Sequence, residues 1–236
     1  MARRAAAPIK ALILAGGLGT RLRPLTFAIP KPLVPIGETP IIELIIRHLK
    51  KYKVETIYVS TNYKSEILKL FLGNGDRWGV SIKYIDEETR LGTAGPIGMI
   101  DLPGDEDLLV MNGDILTALN VERMVKFHRT HKAEFTVGTV QHRTKSRFGE
   151  IQTDPSGHAI FGIREKPVHT ATISAGIYIC SMKARKFITR GAHLDMPDLI
   201  TQLIKAERAV VAYPIRERWK AIEKLSDFRK AHEASQ

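Results

Sequence analysis

Apolar runs of strand length alternate with amphipathic stretches along the first half of this chain. Ile9–Leu14, Thr56–Ser60, Ser81–Ile85 and Leu108–Asn112 are the predicted strands. Between the first two, Ile41, Ile45 and Leu49 share one helical face, with Thr39 as the expected cap and Pro40 at the first helical position. Lys64–Leu72, stopped by Gly73, and Val121–Arg129 are two further expected helices. This alternation predicts a largely parallel sheet flanked by helices.

The second half changes character. Asp154-Pro155-Ser156-Gly157 reads as a turn between strands at Gly149–Thr153 and His158–Ile163. Further strands are expected at Glu134–Gln141, Thr172–Ser181 and Val210–Tyr213, with a helix at Pro197–Ala206. The fold class is therefore α/β, a Rossmann-like three-layer αβα arrangement with a mostly parallel, mixed central sheet and a hairpin-containing region. No linker, low-complexity tract or fixed-period repeat divides the chain. A single domain over residues 1–236 is expected, with an α/β half (about 9–130) and a hairpin-rich half (about 131–236).

Composition narrows the function classes. With 236 residues, 44% hydrophobic and 26% charged, the chain has enough apolar material for one large core and is not disordered. No apolar run approaches the roughly 18–20 residues that span a bilayer, so no membrane partner is expected. The basic start, Met1 to Pro8, leads straight into a strand-like run without a cleavage site and reads as a ragged terminus. The lone Cys180 excludes an internal disulfide and the common cysteine-based zinc frameworks; its apolar strand setting makes it a packing residue. A cytoplasmic location follows from this cysteine usage. His48, His128, His131 and the other histidines show no metal spacing and read as surface or helix-end residues. A homo-oligomer is compatible with the sequence, which does not set a copy number.

The formal net charge of +11 has two readings. One is a nucleic-acid binder, but the basic residues are scattered, aromatics are only 7% and no groove- or strand-binding motif occurs. The other, which the composition favours, is a positive potential that attracts small polyanions such as a nucleoside triphosphate and a sugar phosphate.

The segment Leu14-Ala15-Gly16-Gly17-Leu18-Gly19-Thr20-Arg21-Leu22-Arg23-Pro24-Leu25-Thr26 directly follows the first predicted strand. That places its glycines at the carboxyl edge of the sheet, where α/β proteins bind ligands. Glycines let the backbone approach a phosphate and offer N–H donors, and guanidinium groups at Arg21 and Arg23 can grip phosphate oxygens. The spacing does not fit a Walker A loop, and Leu22 stands where a dinucleotide-binding loop needs a third glycine or alanine. A merely structural glycine turn is the competing reading. Asp114 ends the apolar strand Leu108-Leu109-Val110-Met111 and so projects at the same edge. A carboxylate facing a triphosphate needs a cation between them, and Mg2+ is the usual one; otherwise Asp114 is a turn residue or a helix cap.

The glycine segment, followed by Pro30-Lys31-Pro32-Leu33-Val34-Pro35-Ile36-Gly37, resembles the sugar nucleotidyltransferase family. Leu91-Gly92-Thr93-Ala94-Gly95, Met111-Asn112-Gly113-Asp114, Phe148-Gly149-Glu150, Glu165-Lys166-Pro167 and Ser174-Ala175-Gly176-Ile177-Tyr178 continue the likeness in order over nearly the whole chain. The resemblance implies transfer of a nucleoside monophosphate from a nucleoside triphosphate to a sugar 1-phosphate. A sugar-phosphate oxygen attacks the α-phosphorus, pyrophosphate leaves, and neither a covalent intermediate nor a general base is needed. It further implies that Leu14, Ala15, Gly16 and Gly17 face the base and ribose, and that Gly19, Thr20 and Arg21 cradle the triphosphate with Lys31. By the same likeness Glu88, Gly92 and Thr93 belong to the base pocket, Asp114 holds Mg2+, and Gly149, Glu165, Lys166 and Ser174 hold the sugar and its phosphate. Arg21, Lys31, Asp114 and Lys166 would carry the chemistry, Lys166 aiming the nucleophile. Read without the family, Lys166 is a solvated surface charge whose backbone Pro167 restricts.

Two positions depart from the family pattern. Ser174 stands where asparagine is usual, and Ala221 stands where many members have a second metal-binding aspartate. Glu223, two residues on, either substitutes for it or is a surface carboxylate. These departures keep a second class open, a nucleotide-sugar sensor or regulatory homologue on an enzyme fold. Leu91 to Pro96 is most similar to the guanylyltransferase branch, so GTP leads over UTP, dTTP and CTP, with a mannose, heptose or related 1-phosphate as acceptor. A chain of this length leaves no room for the C-terminal left-handed β-helix of some relatives, and acetyl transfer is not expected.

Overall fold

The computed structural model describes residues 9–102 and 106–234. The expectation for the basic start, Met1 to Pro8, lies outside the described residues. Four strands of the first half, β1 (Lys10–Leu14), β2 (Thr56–Thr61), β3 (Ser81–Asp86) and β4 (Leu108–Asn112), follow the apolar runs closely. A short strand β5 (Ile115–Thr117) comes next, then β6 (Phe135–Lys145), β7 (Glu150–Thr153), β8 (Ile160–Arg164), β9 (Val168–Cys180), β10 (Val210–Pro214) and β11 (Trp219–Ala221).

Seven of these form one sheet in the order β10-β6-β9-β4-β1-β2-β3. Neighbours are parallel except at β9, which runs antiparallel to both β4 and β6. The expected mixed, mostly parallel sheet is therefore the one observed. Strands assigned to both halves of the sequence share it.

The layering follows from side-chain alternation along β1. Ala11 and Ile13 enter one core cluster and Leu12 the other, all at 1% exposure or less. The first cluster receives helices α1 (Ile41–Lys51), α2 (Ser65–Leu72), α3 (Val121–Thr130) and, through Ala231, α5 (Leu225–Glu233). The second receives α4 (Met196–Lys205) through Leu199 and Leu203, and the turn Gly95–Met99 through Ile97. Helices thus cover both faces, giving three layers. Each fully buried aliphatic side chain contributes about 1.5–3 kcal/mol. None of the helices among the described residues is long and apolar enough to cross a membrane.

Several expectations need correction. Thr39 does not cap α1; it pairs with Ile36 in a two-residue ladder, which leaves Pro40 in the cap position without a side-chain bond. His128 is not a surface residue. It is 2% exposed, with Nδ1 2.7 Å from the Thr136 hydroxyl and Nε2 3.4 Å from Asp107. Burial pushes the Asp107 carboxyl up, but His128 and Arg129 outweigh it and hold that carboxyl below its ordinary value. The strands expected at Glu134–Gln141 and Thr172–Ser181 run on as β6 and β9, because they pair with each other from Gln141–Thr172 out to Lys145–Val168. Cys180 is a packed strand residue, and burial pushes its thiol up to about 12, which makes it inert at neutral pH.

Candidate active site

A cavity of about 450 Å³ opens at the carboxyl ends of β1 and β4, within the size range of small-molecule sites. Leu14, Ala15, Gly16, Gly17, Gly19, Thr20, Arg21, Lys31, Gly92, Thr93, Asp114 and Glu223 all line it. Residues up to 209 positions apart in sequence are brought together because β1 sits between β2 and β4 in the sheet.

The glycine turn is shaped by its neighbours. A Cβ on Gly16 would lie 3.1 Å from Glu87 Oε1, whereas Gly17 faces open space, as a backbone that receives a ligand should. Gly19 has φ +61, and a Cβ there would approach Lys31 and Thr26 to 3.0 Å. The Thr26 hydroxyl donates to the Gly19 carbonyl at 2.8 Å and fixes the turn. On the far wall, the Gly113 N–H donates to the Leu14 carbonyl at 2.9 Å, tying the approach to Asp114 onto the end of β1.

Four of the six charged lining residues form two pairs. Lys31 Nζ donates to Asp114 Oδ2, and Arg21 Nη1 donates to Glu223 Oε2 at 2.7 Å. The other Asp114 oxygen, Oδ1, is buried and has no hydrogen-bond partner. Glu223 arrives through a long-range antiparallel strand pair that the sequence reading missed. β11 pairs antiparallel with β5, Ala221 opposite Ile115, and the Ile222 N–H donates to the Asp114 carbonyl at 2.9 Å.

The wall beyond the glycine turn is also more specific than expected. Glu88 is exposed and is not among the lining residues, while its neighbour Glu87 is. Glu87 accepts from the Leu91 N–H at 2.8 Å and from the Ser60 hydroxyl, bonds that turn its carboxylate inward and leave Glu88 outside. Gly92 and Thr93 line the cavity yet carry a structural load. The Thr93 N–H and hydroxyl donate to Asp195 Oδ1 at 3.0 and 3.2 Å, and the Met196 N–H donates to Thr93 Oγ1 at 2.7 Å. This exchange caps α4. Gly92 has φ +75, and a Cβ there would sit 2.5 Å from the Leu194 carbonyl oxygen.

The residues expected to hold the sugar phosphate do not line this cavity. Gly149, Glu165 and Lys166 meet one another on the arm formed by β7, β8 and the outer ends of β6 and β9. A Cβ on Gly149 would come within 3.0 Å of Glu165 Oε2, and Lys166 Nζ lies 3.5 Å from Glu165 Oε1. Lys166 adopts φ +43 directly before Pro167, where the extended region is preferred; such a conformation costs of order 1–3 kcal/mol and recurs at functional sites. Ser174 lies apart, on β9, with its hydroxyl 2.8 Å from that of Tyr178. Burial raises the Tyr178 phenol and the Ser174 contact partly offsets this.

Residues that the sequence reading missed are Glu87, Ser60, Asn112 and Arg90, all lining the cavity, and Asp195 behind it. Asn112 had a signal, since it ends the same strand that leads to Asp114. Asp195 had none, because its partner Thr93 is 102 positions away.

Comparison with known proteins fits this arrangement. Residues 10–236 match the nucleotidyl transferase family, and the chain belongs to it. A D-glycero-alpha-D-manno-heptose 1-phosphate guanylyltransferase of Aneurinibacillus thermoaerophilus is 33% identical over 175 residues, covering 73% of this chain and 75% of that protein. A UTP--glucose-1-phosphate uridylyltransferase of Synechocystis is 31% identical over 242 residues, covering 94% of this chain and 62% of the relative. The chain therefore spans less than two thirds of the length of that relative. The crystal structure of HddC from Yersinia pseudotuberculosis complexed with GMP-PN superposes with a TM-score of 0.73 at 25% identity, covering 97% of this chain and 100% of that one.

Proposed function

We propose that the protein transfers a nucleoside monophosphate from a nucleoside triphosphate, GTP in the first place, to a sugar 1-phosphate of the mannose or heptose type. The observation that carries this reading is the juxtaposition, at one sheet edge, of an open glycine turn, Arg21, Lys31 and a carboxylate with an unpartnered buried oxygen. Arg21 and Lys31 neutralise the triphosphate, and Gly19 and Thr20 offer backbone N–H groups to its oxygens. Positioning of the two anions supplies up to about 7–11 kcal/mol, with fixed positive charge adding to it. Lys166, held at φ +43 on the arm, is the group that aims the sugar phosphate when the arm and the cavity act on one substrate pair.

The donor set suits Mg2+. Asp114 Oδ1 is a hard oxygen donor with no other use, and among the described residues no cluster of three or more His, Cys, Asp or Glu forms a protein-only site. A cation held by one or two carboxylates, with substrate phosphate oxygens completing its shell, is the usual Mg2+ arrangement. Asp114 holds the ion in this reading and Glu223 is the second candidate. When bound, Mg2+ supplies charge neutralisation at the phosphate oxygens.

Glu87 favours guanine. Guanine presents N1–H and N2–H side by side, which a carboxylate accepts as a pair. Uracil and thymine present one N–H flanked by two carbonyl oxygens, which a carboxylate repels. The two donors already on Glu87 leave lone pairs free for such a contact. Pyrophosphate release should be measured with GTP, UTP, dTTP and CTP against mannose, glucose and heptose 1-phosphates. GTP is expected to lead, and E87Q to reduce its advantage over UTP roughly 10- to 100-fold. No release with any pair, Mg2+ present, refutes the reading.

A further inference from the structure

We propose that Glu223 gates the metal site. In the free protein Glu223 holds Arg21 while Lys31 holds Asp114, and an arriving triphosphate exchanges these partners and frees both carboxylates for a divalent ion. The inference rests on the nucleotidyl-transfer reading and adds an order to it: the ion enters with the triphosphate and not before it.

The pairing in the cavity is one to one. Arg21 and Glu223 are 2.7 Å apart, Lys31 and Asp114 form the second pair, and all four line the same space. A divalent cation approaching the free protein meets a lysine ammonium already seated on the carboxylate it needs. Only Asp114 Oδ1 is left for it, one protein donor where one or two carboxylates and phosphate oxygens are usual. Metal alone is thus repelled by the ammonium and held by a single protein oxygen, with water completing its shell.

A triphosphate reverses the balance. Its oxygens are stronger partners for a guanidinium and an ammonium than a single carboxylate is. Once Arg21 and Lys31 turn to phosphate, Asp114 and Glu223 face a polyanion with no compensation, a state that only an added cation relieves. Binding of the two ligands is then mutually favourable, by the same factor in each direction.

Glu223 suits the role through its exposure and its anchoring. The Arg21–Glu223 pair has side-chain exposures of 70% and 49%, so it opens at little cost, whereas Lys31 and Asp114 are at 14% and 20%. The residue before Glu223 is hydrogen-bonded to the Asp114 backbone, so the second carboxylate is tied to the first by main chain. Ala221, paired with Ile115, offers no donor.

The test uses the full chain with Mn2+ as the probe ion, followed by electron paramagnetic resonance, and GMPCPP, the α,β-methylene analogue of GTP, followed by calorimetry. R21Q, at an exposed position, and K31M should each tighten binding of Mn2+ alone by roughly fivefold or more relative to the parent protein. E223Q should tighten GMPCPP in excess EDTA by a similar factor, because a repelling charge is removed and Arg21 is released, yet reduce the gain that Mn2+ gives to GMPCPP. A Glu223 that served only packing would move neither quantity in this opposed way. If Mn2+ binds the parent as tightly as R21Q and K31M, or if E223Q leaves metal-free GMPCPP binding unchanged or weaker, the exchange is overturned while nucleotide binding stands. If the parent binds no GMPCPP even with Mn2+, the nucleotidyl-transfer reading falls as well.

Discussion

The cavity and the arm are built by opposite means. Around the cavity, each functional group hangs on a buried support: the turn at residues 16–19 on β1, Asp114 on β4, and Gly92 and Thr93 on the α4 cap. On the arm, β7 and β8 form a separate two-stranded sheet. There Phe148, Ile151, Ile160, Phe161, Ile163 and Val168 are all exposed, six of the ten large hydrophobics found exposed in the described residues. An isolated hairpin of this kind is only marginally stable in water. Under the proposed function, a prebuilt triphosphate site and a weakly supported arm for the sugar phosphate suit two different tasks. On that reading, the first holds fixed charge in place and the second adapts to the acceptor.

The sharpest way to break this contrast is a substitution in the packed core of the sheet. Phe135 is fully buried, its ring 5.8 Å from that of Tyr178, and Phe135→Ala should cost about 3–5 kcal/mol in denaturant unfolding. Next comes Asp114→Ala, expected to lower turnover at least ~100-fold while the melting temperature stays near that of the parent protein. Substantial activity in that variant with Mg2+ present would refute the role of Asp114. On the arm, Lys166→Ala should raise the constant for the sugar phosphate and slow transfer, by roughly 10-fold as for one charge-assisted contact. A change confined to the triphosphate constant would move Lys166 out of the sugar site. The smallest effect is expected from Ile163→Thr, an exposed position that keeps β-branching, at within about 0.5 kcal/mol in the same unfolding assay. A loss comparable to that at Phe135 would mean that the arm is packed against something in solution.

The sequence reading succeeded where the signal was local. The runs at β1 and β4 are apolar because both faces of those strands are covered, and the glycine turn and Asp114 could be placed at the sheet edge from adjacency to a strand end. It failed where long-range contacts decided the outcome. Glu87 rather than Glu88 faces the cavity because Ser60 and the Leu91 amide turn it inward, and neither contact leaves a periodicity to read. His128, expected at the surface or a helix end, does sit in the last turn of a helix, but in the interior, where Thr136 and Asp107 satisfy it. The β5–β11 pair escaped because three-residue strands far apart in the chain carry too little pattern to stand out.

The layers of the fold, the place of the glycine turn at the sheet edge and the family were thus legible in the chain alone. These depend on period, on glycine and on runs of a few residues, all of which are local. Only the tertiary structure decided that Arg21 meets Glu223 and Lys31 meets Asp114, that Thr93 caps a helix one hundred residues away, and that Lys166 stands on an arm apart from the cavity. Such pairings depend on strand order and register, which arise from burying both faces of one sheet and leave no trace in any short stretch of chain.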